Sequence, residues 1–193
     1  MPKLGMEPIR RDALVKATIA EIGTSGHLDV TVAQIARRAG MSTALAHHYF
    51  GGKAQIFLAA MRHLLAGYAG EVRAALAGRQ DPRDRLVALV GANFTPSNFR
   101  RETVRAWLNF YVLAESDAEA RRLVAVYHRR LHSNLMHELR RIRPDRAEPV
   151  ARHLAALIDG VYLREALAGR PADAEGAARL VLSALEAEIG AQP

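Results

Sequence analysis

Apolar residues recur at intervals of three and four along most of the chain, and charged residues fill the positions between them. This spacing gathers the apolar side chains on one face of an amphipathic helix, whereas a half-buried strand would alternate every second residue. Strand signals are scarce, and no internal repeat or low-complexity segment interrupts the pattern. The sequence therefore predicts an all-α protein with about nine helices.

Proline, glycine and capping residues divide the pattern into separate helices. The clearest start is Asp81-Pro82, because aspartate accepts hydrogen bonds at an N-cap and proline fits the first helical position. Ser116 or Asp117, and later Asp173, are predicted to cap two further helices. The predicted helical segments are about 8–24, 31–40 with its caps, 43–50, 53–77, 82–94, 101–114, 117–142, 148–168 and 173–189.

The most specific local pattern lies between Thr31 and Phe50. Thr31 and Gln34 form a T-x-x-Q capping box, which fixes where the first of two short helices begins. Gly40 suits the left-handed residue that ends this helix, and Ser42 suits the cap of the next one. The second helix, 43–50, is about two turns long and carries polar residues where a core helix would carry aliphatic ones. This is the layout of a helix-turn-helix that reads a DNA major groove.

Residues at and after the second short helix have side chains suited to DNA. Thr43 and Ala44 can meet base edges, and Lys53 stands at a helix start whose free N–H groups favour a phosphate. Other roles stay open, since Lys53 and the histidines could simply be solvated and Tyr49 could serve packing. The predicted DNA-binding residues are Thr31, Ser42, Thr43, Ala44, His47, His48, Tyr49 and Lys53.

The composition has more basic than acidic side chains. The 193 residues include 27 Lys and Arg against 20 Asp and Glu, a formal charge of +7, and residues 1–55 alone hold seven basic and four acidic side chains. Such a balance favours polyanionic partners. The chain has no cysteine, no secretory signal pattern and no apolar run long enough to span a bilayer. We therefore expect a cytoplasmic protein that does not bind membranes.

The charge and the motif together predict two domains. Residues 1–55 are expected to form a three-helix DNA-binding head with its reader motif at 31–50, and residues 56–193 a larger helical body. No Ser-His-Asp signature, phosphate-binding glycine loop or spaced carboxylate pair is evident, so we expect no enzymatic activity, no cofactor and no bound metal.

The segment HHYFGGK at 47–53 resembles the end of the helix-turn-helix in the TetR family of repressors. It departs from the usual family pattern at His47, where most members have tyrosine. The chain further resembles the branch that represses glycine betaine synthesis from choline. This resemblance lies in the opening residues 1–11, in AQIARRAGMS at 33–42, and in body segments at 106–110, 130–135 and 156–164. The resemblance implies a repressor that a small-molecule effector releases from a palindromic operator in double-stranded DNA.

The resemblance also implies an effector pocket in the body, with choline as the candidate effector. A quaternary ammonium is recognised by aromatic faces, and carboxylates add charge complementarity. Trp107, Phe110 and Tyr111 share one helix face because they are three and four residues apart. The alternative is that these rings simply fill the core. The candidate effector residues are Trp107, Phe110, Tyr111, Glu115, Asp159 and Tyr162.

A small reader domain binds a palindrome well only when two copies act together, so a homodimer is expected. The last two helices carry apolar stripes that could build a four-helix interface between subunits. The alternative is that both stripes face their own core. The predicted interface residues are Leu154, Leu157, Ile158, Val161, Val181, Leu182 and Leu185.

Three other interpretations stay open at this stage. The regulator could respond to a different effector, because sensors of one fold differ in a few pocket residues. It could be a metal-dependent enzyme that uses His128 and His132, which are four apart on a predicted helix, although H-E-x-x-H is absent. It could also compact nucleic acid without sequence preference, a behaviour that a comparison of operator with random DNA would reveal.

Overall fold

The computed structural model describes residues 5–190, and every regular element within them is an α-helix. The predictions of an all-α fold and of about nine helices are confirmed for this part of the chain. The helices are α1 Met6–Ser25, α2 Val32–Arg38, α3 Thr43–Phe50, α4 Lys53–Leu76, α5 Pro82–Gly91, α6 Arg101–Ser116, α7 Ala118–Ile142, α8 Ala147–Ala166 and α9 Ala174–Gly190.

Side-chain caps fix several helix starts where the sequence predicts them. Asp81 accepts hydrogen bonds from the backbone N–H groups of Arg83 and Asp84 at the start of α5, at 2.9 and 3.0 Å. Asp117 accepts from Ala120 at 2.8 Å, and Asp173 from Gly176 at 2.7 Å. Each carboxylate satisfies an N–H group that has no partner inside its helix.

Helix α5 is shorter than predicted, ending at Gly91 instead of about 94. The N–H groups of Asn93 and Phe94 bond to the carbonyls three residues earlier, both at 3.0 Å, so the last turn tightens. The Asn93 side chain also donates to the Leu89 carbonyl at 2.8 Å. Apolar spacing alone does not distinguish such a turn from continued helix.

The chain packs as two compact units. The first comprises residues 5–66 and 100–124, and in it α1 packs against α2, α3 and α6. Gly23 makes this close packing possible, because a Cβ atom there would lie 2.6 Å from the Cα atom of Glu102 on α6. The fully buried side chains of this unit include Leu14, Ile22, Ile35, Ile56, Leu58, Met61 and Phe110.

Helix α6 also caps the end of α1. Arg105 donates to the carbonyls of Gly23 and Thr24 at 2.7 and 3.1 Å, and Asn109 donates to the carbonyl of Gly26 at 3.2 Å. These carbonyls lie at a helix C-terminus, where backbone acceptors lack intrahelical partners. Side chains from α6 therefore stabilise the end of the helix that supports the two short helices.

The second unit comprises residues 67–99 and 125–190, with α9 packed against both α5 and α8. Its fully buried side chains include Leu86, Leu89, Leu131, Leu135, Leu139, Leu154, Val181 and Leu185. Glu138 is also buried, with 2% of its side chain exposed, and its carboxylate accepts from Arg85 at 2.6 Å and Arg141 at 3.0 Å.

The predicted boundary between residues 55 and 56 does not coincide with the division between these units. The first unit includes α6 because α6 packs on α1, and α4 begins in one unit and ends in the other. The division of function into a DNA-binding head and an effector-binding body stays a prediction. Among residues 5–190, no helix combines the length and apolarity needed to cross a membrane.

Candidate functional site

The capping box at the start of α2 forms as predicted. The Thr31 side chain accepts from the Gln34 backbone N–H at 3.1 Å, and the Gln34 side chain accepts from the Thr31 backbone N–H at 2.6 Å. Val30 and Ile35, on either side of the cap, are both buried. Reciprocal capping fixes the first residue of α2 and therefore the position of the turn that follows.

The turn between α2 and α3 depends on Gly40, whose φ of 67° lies in the left-handed region. The N–H groups of Gly40 and Met41 close the end of α2 by bonding to the carbonyls of Arg37 and Ala36, at 3.1 and 2.9 Å. Ser42 then accepts from the Leu45 N–H at 3.2 Å. Consequently α3 begins at Thr43, the predicted residue.

Helix α3 has one buried side and one exposed side. Ala46 and Phe50 are buried, whereas Thr43, Ala44, His47 and His48 are exposed. The exposed set has spacings of one and four residues, so its members form one face. Together they offer a hydroxyl, a methyl group and two imidazoles.

His47 has a defined hydrogen-bonding arrangement. Its Nδ1 atom lies 3.2 Å from the carbonyl oxygen of Gly51, which can only accept, so Nδ1 carries the proton. In the neutral ring this leaves Nε2 as an acceptor, and in the protonated ring Nε2 becomes a donor. The Gly51 contact therefore holds the ring in place while Nε2 stays available for a base or phosphate.

Two arginines of α1 hold the C-terminal end of α3. Arg10 donates to the Tyr49 hydroxyl at 3.3 Å, and Arg11 donates to the Tyr49 carbonyl. The Arg11 guanidinium also lies over the Phe50 ring, 4.3 Å from its centroid. Tyr49 is half-buried, and the guanidinium of Arg10 lies beside its hydroxyl at the edge of the reader. Neither arginine is among the predicted DNA-binding residues, because the sequence shows their charge but not their contact with α3.

Lys53 is the first residue of α4 and is exposed, with Nζ 5.4 Å from the centroid of the Phe57 ring. Its ammonium group thus lies at a helix N-terminus, where free N–H groups also favour an anion. All eight predicted DNA-binding residues belong to the first unit, within α2, α3, their caps and the start of α4.

The six predicted effector residues divide between the two units. Trp107, Phe110, Tyr111 and Glu115 lie on α6 in the first unit, whereas Asp159 and Tyr162 lie on α8 in the second. Phe110 is fully buried, and the rings of Trp107 and Tyr111 are 6.1 Å apart. Their role in effector binding stays a prediction.

Around Asp159 the second unit contains a cluster of polar and aromatic side chains that the sequence did not predict to lie together. Asp159 accepts from the Tyr127 hydroxyl at 2.7 Å, and its other carboxylate oxygen lies 3.6 Å from His128 Nε2. Burial raises the pKa of Asp159, while Tyr127 and His128 oppose that shift. The Tyr68 ring meets the Tyr127 ring edge-on at 5.4 Å.

The Tyr68 hydroxyl is buried without a hydrogen-bond partner of ordinary length among the described residues. Burial raises the pKa of Tyr68, the Asn93 side chain lowers it by less, and the negative charges of Asp159 and Glu71 raise it further. A buried polar group without a partner is rare and costs free energy. Such a hydroxyl is suited to a bound ligand that supplies the missing contact.

A second carboxylate and two further rings belong to the same unit. Glu71 accepts hydrogen bonds from Thr95, Ser97 and Asn98, at 2.6–3.3 Å. Tyr162 stacks on Phe99 with centroids 5.2 Å apart and donates to the Asn98 carbonyl at 2.9 Å. We call Tyr68, Glu71, Phe99, Tyr127, Asp159 and Tyr162 the tyrosine–carboxylate cluster. Its members come from α4, the α5–α6 connection, α7 and α8, so periodicity within one helix could not reveal it.

Most residues of the predicted dimer interface are buried within the subunit. Leu154, Ile158, Val161, Val181 and Leu185 are each at most 6% exposed in the single chain, while Leu157 and Leu182 are half-buried. These five side chains face the core of their own subunit, the alternative that the sequence left open, while an interface role for the half-buried Leu157 and Leu182 stays a prediction. The large apolar side chains most exposed on α8, at its C-cap and on α9 are instead Leu163, Leu167 and Leu180, respectively.

The histidines of α7 meet carboxylates of α8. His128 lies near Asp159, as described, and His132 Nε2 lies 3.3 Å from Glu148. In the part of the chain that the structure describes, no group of three or more His, Cys, Asp or Glu side chains is placed to hold a metal ion. The two histidines therefore form separate pairs instead of one ligand set.

The capped helix pair, its left-handed turn and its exposed polar face define a helix-turn-helix transcriptional regulator. Residues 14–60 match the family model of bacterial regulatory proteins, tetR family, and residues 82–190 match that of the BetI-type transcriptional repressor, C-terminal. The regulator BetI of Brucella anthropi is 50% identical over 182 residues, 94% of each chain. The chain belongs to the TetR family and to its BetI-type branch, as the sequence resemblance implies.

Solved structures share the fold at lower identity. A protein from Pseudomonas aeruginosa PAO1, classed as a transcriptional regulator, has a TM-score of 0.84 at 23% identity, with 97% of this chain and 93% of that chain covered. Another from Saccharomonospora viridis, solved in complex with choline, has a TM-score of 0.81 at 24% identity over 91% and 95% of the two chains. These similarities confirm the helical architecture predicted from the sequence.

Proposed function

We propose that α3 enters the major groove of an operator and that its exposed face reads base edges. The observation that carries this proposal is the set of four exposed side chains, Thr43, Ala44, His47 and His48, on a helix fixed at both ends. Thr31, Ser42, Tyr49 and Lys53 bind phosphates at the margins. Operator DNA is in the cytoplasm, so the repressor acts there.

Base contacts and phosphate contacts can be separated experimentally. Binding of the chain's own promoter DNA and of random DNA is measured at several salt concentrations. The Lys53→Ala substitution is expected to weaken binding of both DNAs and to reduce the slope of log affinity against log salt concentration by about one per lost phosphate contact. His47→Ala is expected to weaken binding of the promoter DNA selectively, by about 1–3 kcal/mol. Equal affinity for both DNAs in the unaltered protein would contradict sequence-specific repression and favour a compacting protein.

The effector proposed for this protein is choline, bound by the tyrosine–carboxylate cluster. Three tyrosine rings and a phenylalanine supply faces for a quaternary ammonium, and Asp159 and Glu71 supply negative charge. The unpartnered Tyr68 hydroxyl can bond to the choline hydroxyl. The choline-bound Saccharomonospora viridis protein of the same fold supports this choice.

Calorimetric titration tests the cluster. Choline should bind saturably. Its uncharged isostere 3,3-dimethylbutan-1-ol should bind at least about tenfold more weakly, which corresponds to a contribution of the positive charge to the binding free energy of about 1.4 kcal/mol or more. Asp159→Asn should weaken choline binding, whereas Asp145→Asn, an exposed carboxylate on the same unit, should not. Equal binding of choline and its isostere would show that the effector is not a cation.

The α6 residues are tested separately through the only tryptophan of the chain, Trp107. A choline-dependent change in its fluorescence that Tyr111→Phe or Glu115→Gln alters would support their predicted role. If choline binds calorimetrically but leaves this fluorescence unchanged, the effector site consists of the second-unit residues alone.

Release of DNA is proposed to proceed through α4. This helix is continuous from Lys53 to Leu76, so the segment that carries Tyr68 and Glu71 is joined through helical backbone to the residue proposed to bind phosphate. A bound effector that repositions α4 changes the separation of the two reader helices on a palindrome. A coupling of about 1–3 kcal/mol would suffice. Choline binding without any change in operator affinity would contradict this mechanism.

The homodimer is proposed to form through the exposed sides of α8 and α9. Ala156, Gly160 and Leu163 are exposed at helical spacing on α8, and the exposed Leu167 is its C-cap residue; Leu180 is 56% exposed on α9. Leu167→Glu should shift the protein towards a monomer in light scattering. The matched control is Val112→Glu, which changes an equally exposed apolar residue on α6. A dimer that survives Leu167→Glu and Leu180→Glu together would place the interface elsewhere.

A further inference from the structure

The first unit contains a cavity of about 370 Å³ between α1, α4 and the start of α6. Its lining comprises Lys16, Ile19, Ala20, His63, Leu64, Arg100, Glu102 and Thr103. None of these residues belongs to the reader face or to the tyrosine–carboxylate cluster. The volume is within the range of cavities that hold small organic molecules.

The polar end of the cavity is the N-terminus of α6, a helix of 16 residues. Its N-cap residue, Arg100, makes no side-chain cap, so the N–H groups of the first turn lack the acceptor that Asp81, Asp117 and Asp173 provide elsewhere. Free N–H groups and the helix dipole favour an anionic group at this position.

Thr103 is a second, independent sign of a ligand. It is only 7% exposed, lines the cavity, and its hydroxyl bonds to no other described residue. By contrast, the buried Thr18 and the exposed Thr24 each donate to a carbonyl four residues earlier, both at 2.8 Å. Thr103 lies in the first turn of its helix, and its hydroxyl is therefore left for a group inside the cavity.

The charges around the cavity are unequal. Arg100 is exposed and makes no ion pair with a described residue, so its guanidinium is available. Lys16 is 2.7 Å from Asp12, which also lies 3.9 Å from His63, and Glu102 contributes one carboxylate to the lining. Because Asp12 already offsets Lys16, the attraction for an anion depends chiefly on Arg100 and the free N–H groups.

The remaining wall is apolar, formed by Ile19, Ala20 and Leu64. A bare inorganic anion would leave this wall uncovered, whereas a carboxylate with a short hydrocarbon body would cover it. We propose that this cavity is a second ligand site, and that it binds a small organic carboxylate through Thr103, Arg100 and the N-terminus of α6.

Calorimetric titration with butanoate tests the site on the full chain. Butanoate should bind saturably and more tightly than acetate or inorganic phosphate, while butanamide, which has the same body without the charge, should bind at least about tenfold more weakly. Tighter binding of phosphate than of butanoate would overturn the assignment to a carboxylate, and absence of saturable binding by any of the three anions would overturn the site.

Two variants and one control locate the bound group. Arg100→Gln should weaken butanoate binding about tenfold, since it removes a charge-assisted hydrogen bond, and Thr103→Val should weaken it several-fold with nearly unchanged shape. Arg101→Gln is the matched control, because Arg101 is exposed, adjacent and absent from the lining. Equal losses in the Arg100 and Arg101 variants would show general charge attraction instead of a site. Unchanged choline binding in all three variants would confirm that this site is separate from the effector cluster.

Discussion

In the first unit the polar side chains of α3 are exposed to water, whereas in the second unit several polar side chains are buried. Thr43, His47 and His48 lie on an open helix face. Glu138 and the Tyr68 hydroxyl lie inside the second unit. Glu138 is paired with arginines, whereas the Tyr68 hydroxyl has no hydrogen-bond partner of ordinary length among residues 5–190. An open polar face suits a long polyanion that keeps much of its hydration, and buried polar groups suit a small ligand that loses its water. The proposed function thus assigns two kinds of recognition surface to the same chain.

The largest effect is expected where a buried charge loses its partner. Arg85→Ala leaves Glu138 with Arg141 and with the exposed His137, whose Nε2 atom is 3.9 Å away, and the free energy of unfolding should fall by about 3–5 kcal/mol in urea titrations. Arg83→Ala on the same helix removes only an exposed contact with Glu186 at 3.4 Å and should cost less than about 1 kcal/mol. Similar losses of unfolding free energy in the two variants would show that the buried Arg85–Glu138 pair contributes no more to stability than the exposed pair.

The next effect concerns the close packing of α1 on α6. Gly23→Ala places a methyl group 2.6 Å from the Glu102 backbone, which cannot move aside without shifting a helix, so a loss of about 1–3 kcal/mol is expected. Gly67→Ala on α4 meets no atom within 4 Å and should stabilise the protein by about 0.5–1 kcal/mol. Thermal unfolding of both variants checks these opposite signs.

The affinity for choline should decrease at acid pH. Because burial raises the pKa of Asp159, its carboxylate protonates at a higher pH than an exposed aspartate and then no longer attracts a cation. The affinity is expected to fall about tenfold as the pH is lowered from neutral into the acid range, and less in Asp159→Asn. Calorimetry across this range would contradict the cluster if the affinity were constant.

The smallest effect is the loss of the α2 cap. Thr31→Ala removes the side-chain acceptor for Gln34 N–H and should reduce the free energy of unfolding by about 1 kcal/mol. Thr31→Ser retains the acceptor and should retain most of the stability. If both variants bind operator as the original protein does, Thr31 caps the helix and makes no phosphate contact.

Local signals in the sequence predict the helix-turn-helix more accurately than the tyrosine–carboxylate cluster. The capping box, Gly40 and Ser42 act within a few residues of each other, so the bounds of α3 were predictable to the residue. The tyrosine–carboxylate cluster joins residues far apart in sequence, and helical periodicity contains no information about which helices meet. Of its members, only Asp159 and Tyr162 were predicted, and both follow from the family resemblance.

The apolar stripes of α8 and α9 illustrate a different limit. A stripe at helical spacing shows that a face is buried but not whether the covering surface belongs to the same chain. Leu154 and Val181 are each fully buried within one subunit. The exposed Leu163 on the polar side of α8 and the exposed Leu167 at its C-cap form a weaker pattern, which becomes visible only when the buried face is known.

The central claim, that α3 and the residue that starts α4 bind operator DNA, is tested most directly by one comparison. Fluorescence anisotropy measures binding of the promoter DNA by His48→Ala with Lys53→Ala, and by a control pair, Lys16→Ala with His27→Ala, which changes the same residue types off the reader. The reader pair should lose at least about a hundredfold in affinity while the control pair loses less than about threefold. Unchanged affinity in the reader pair would contradict the claim.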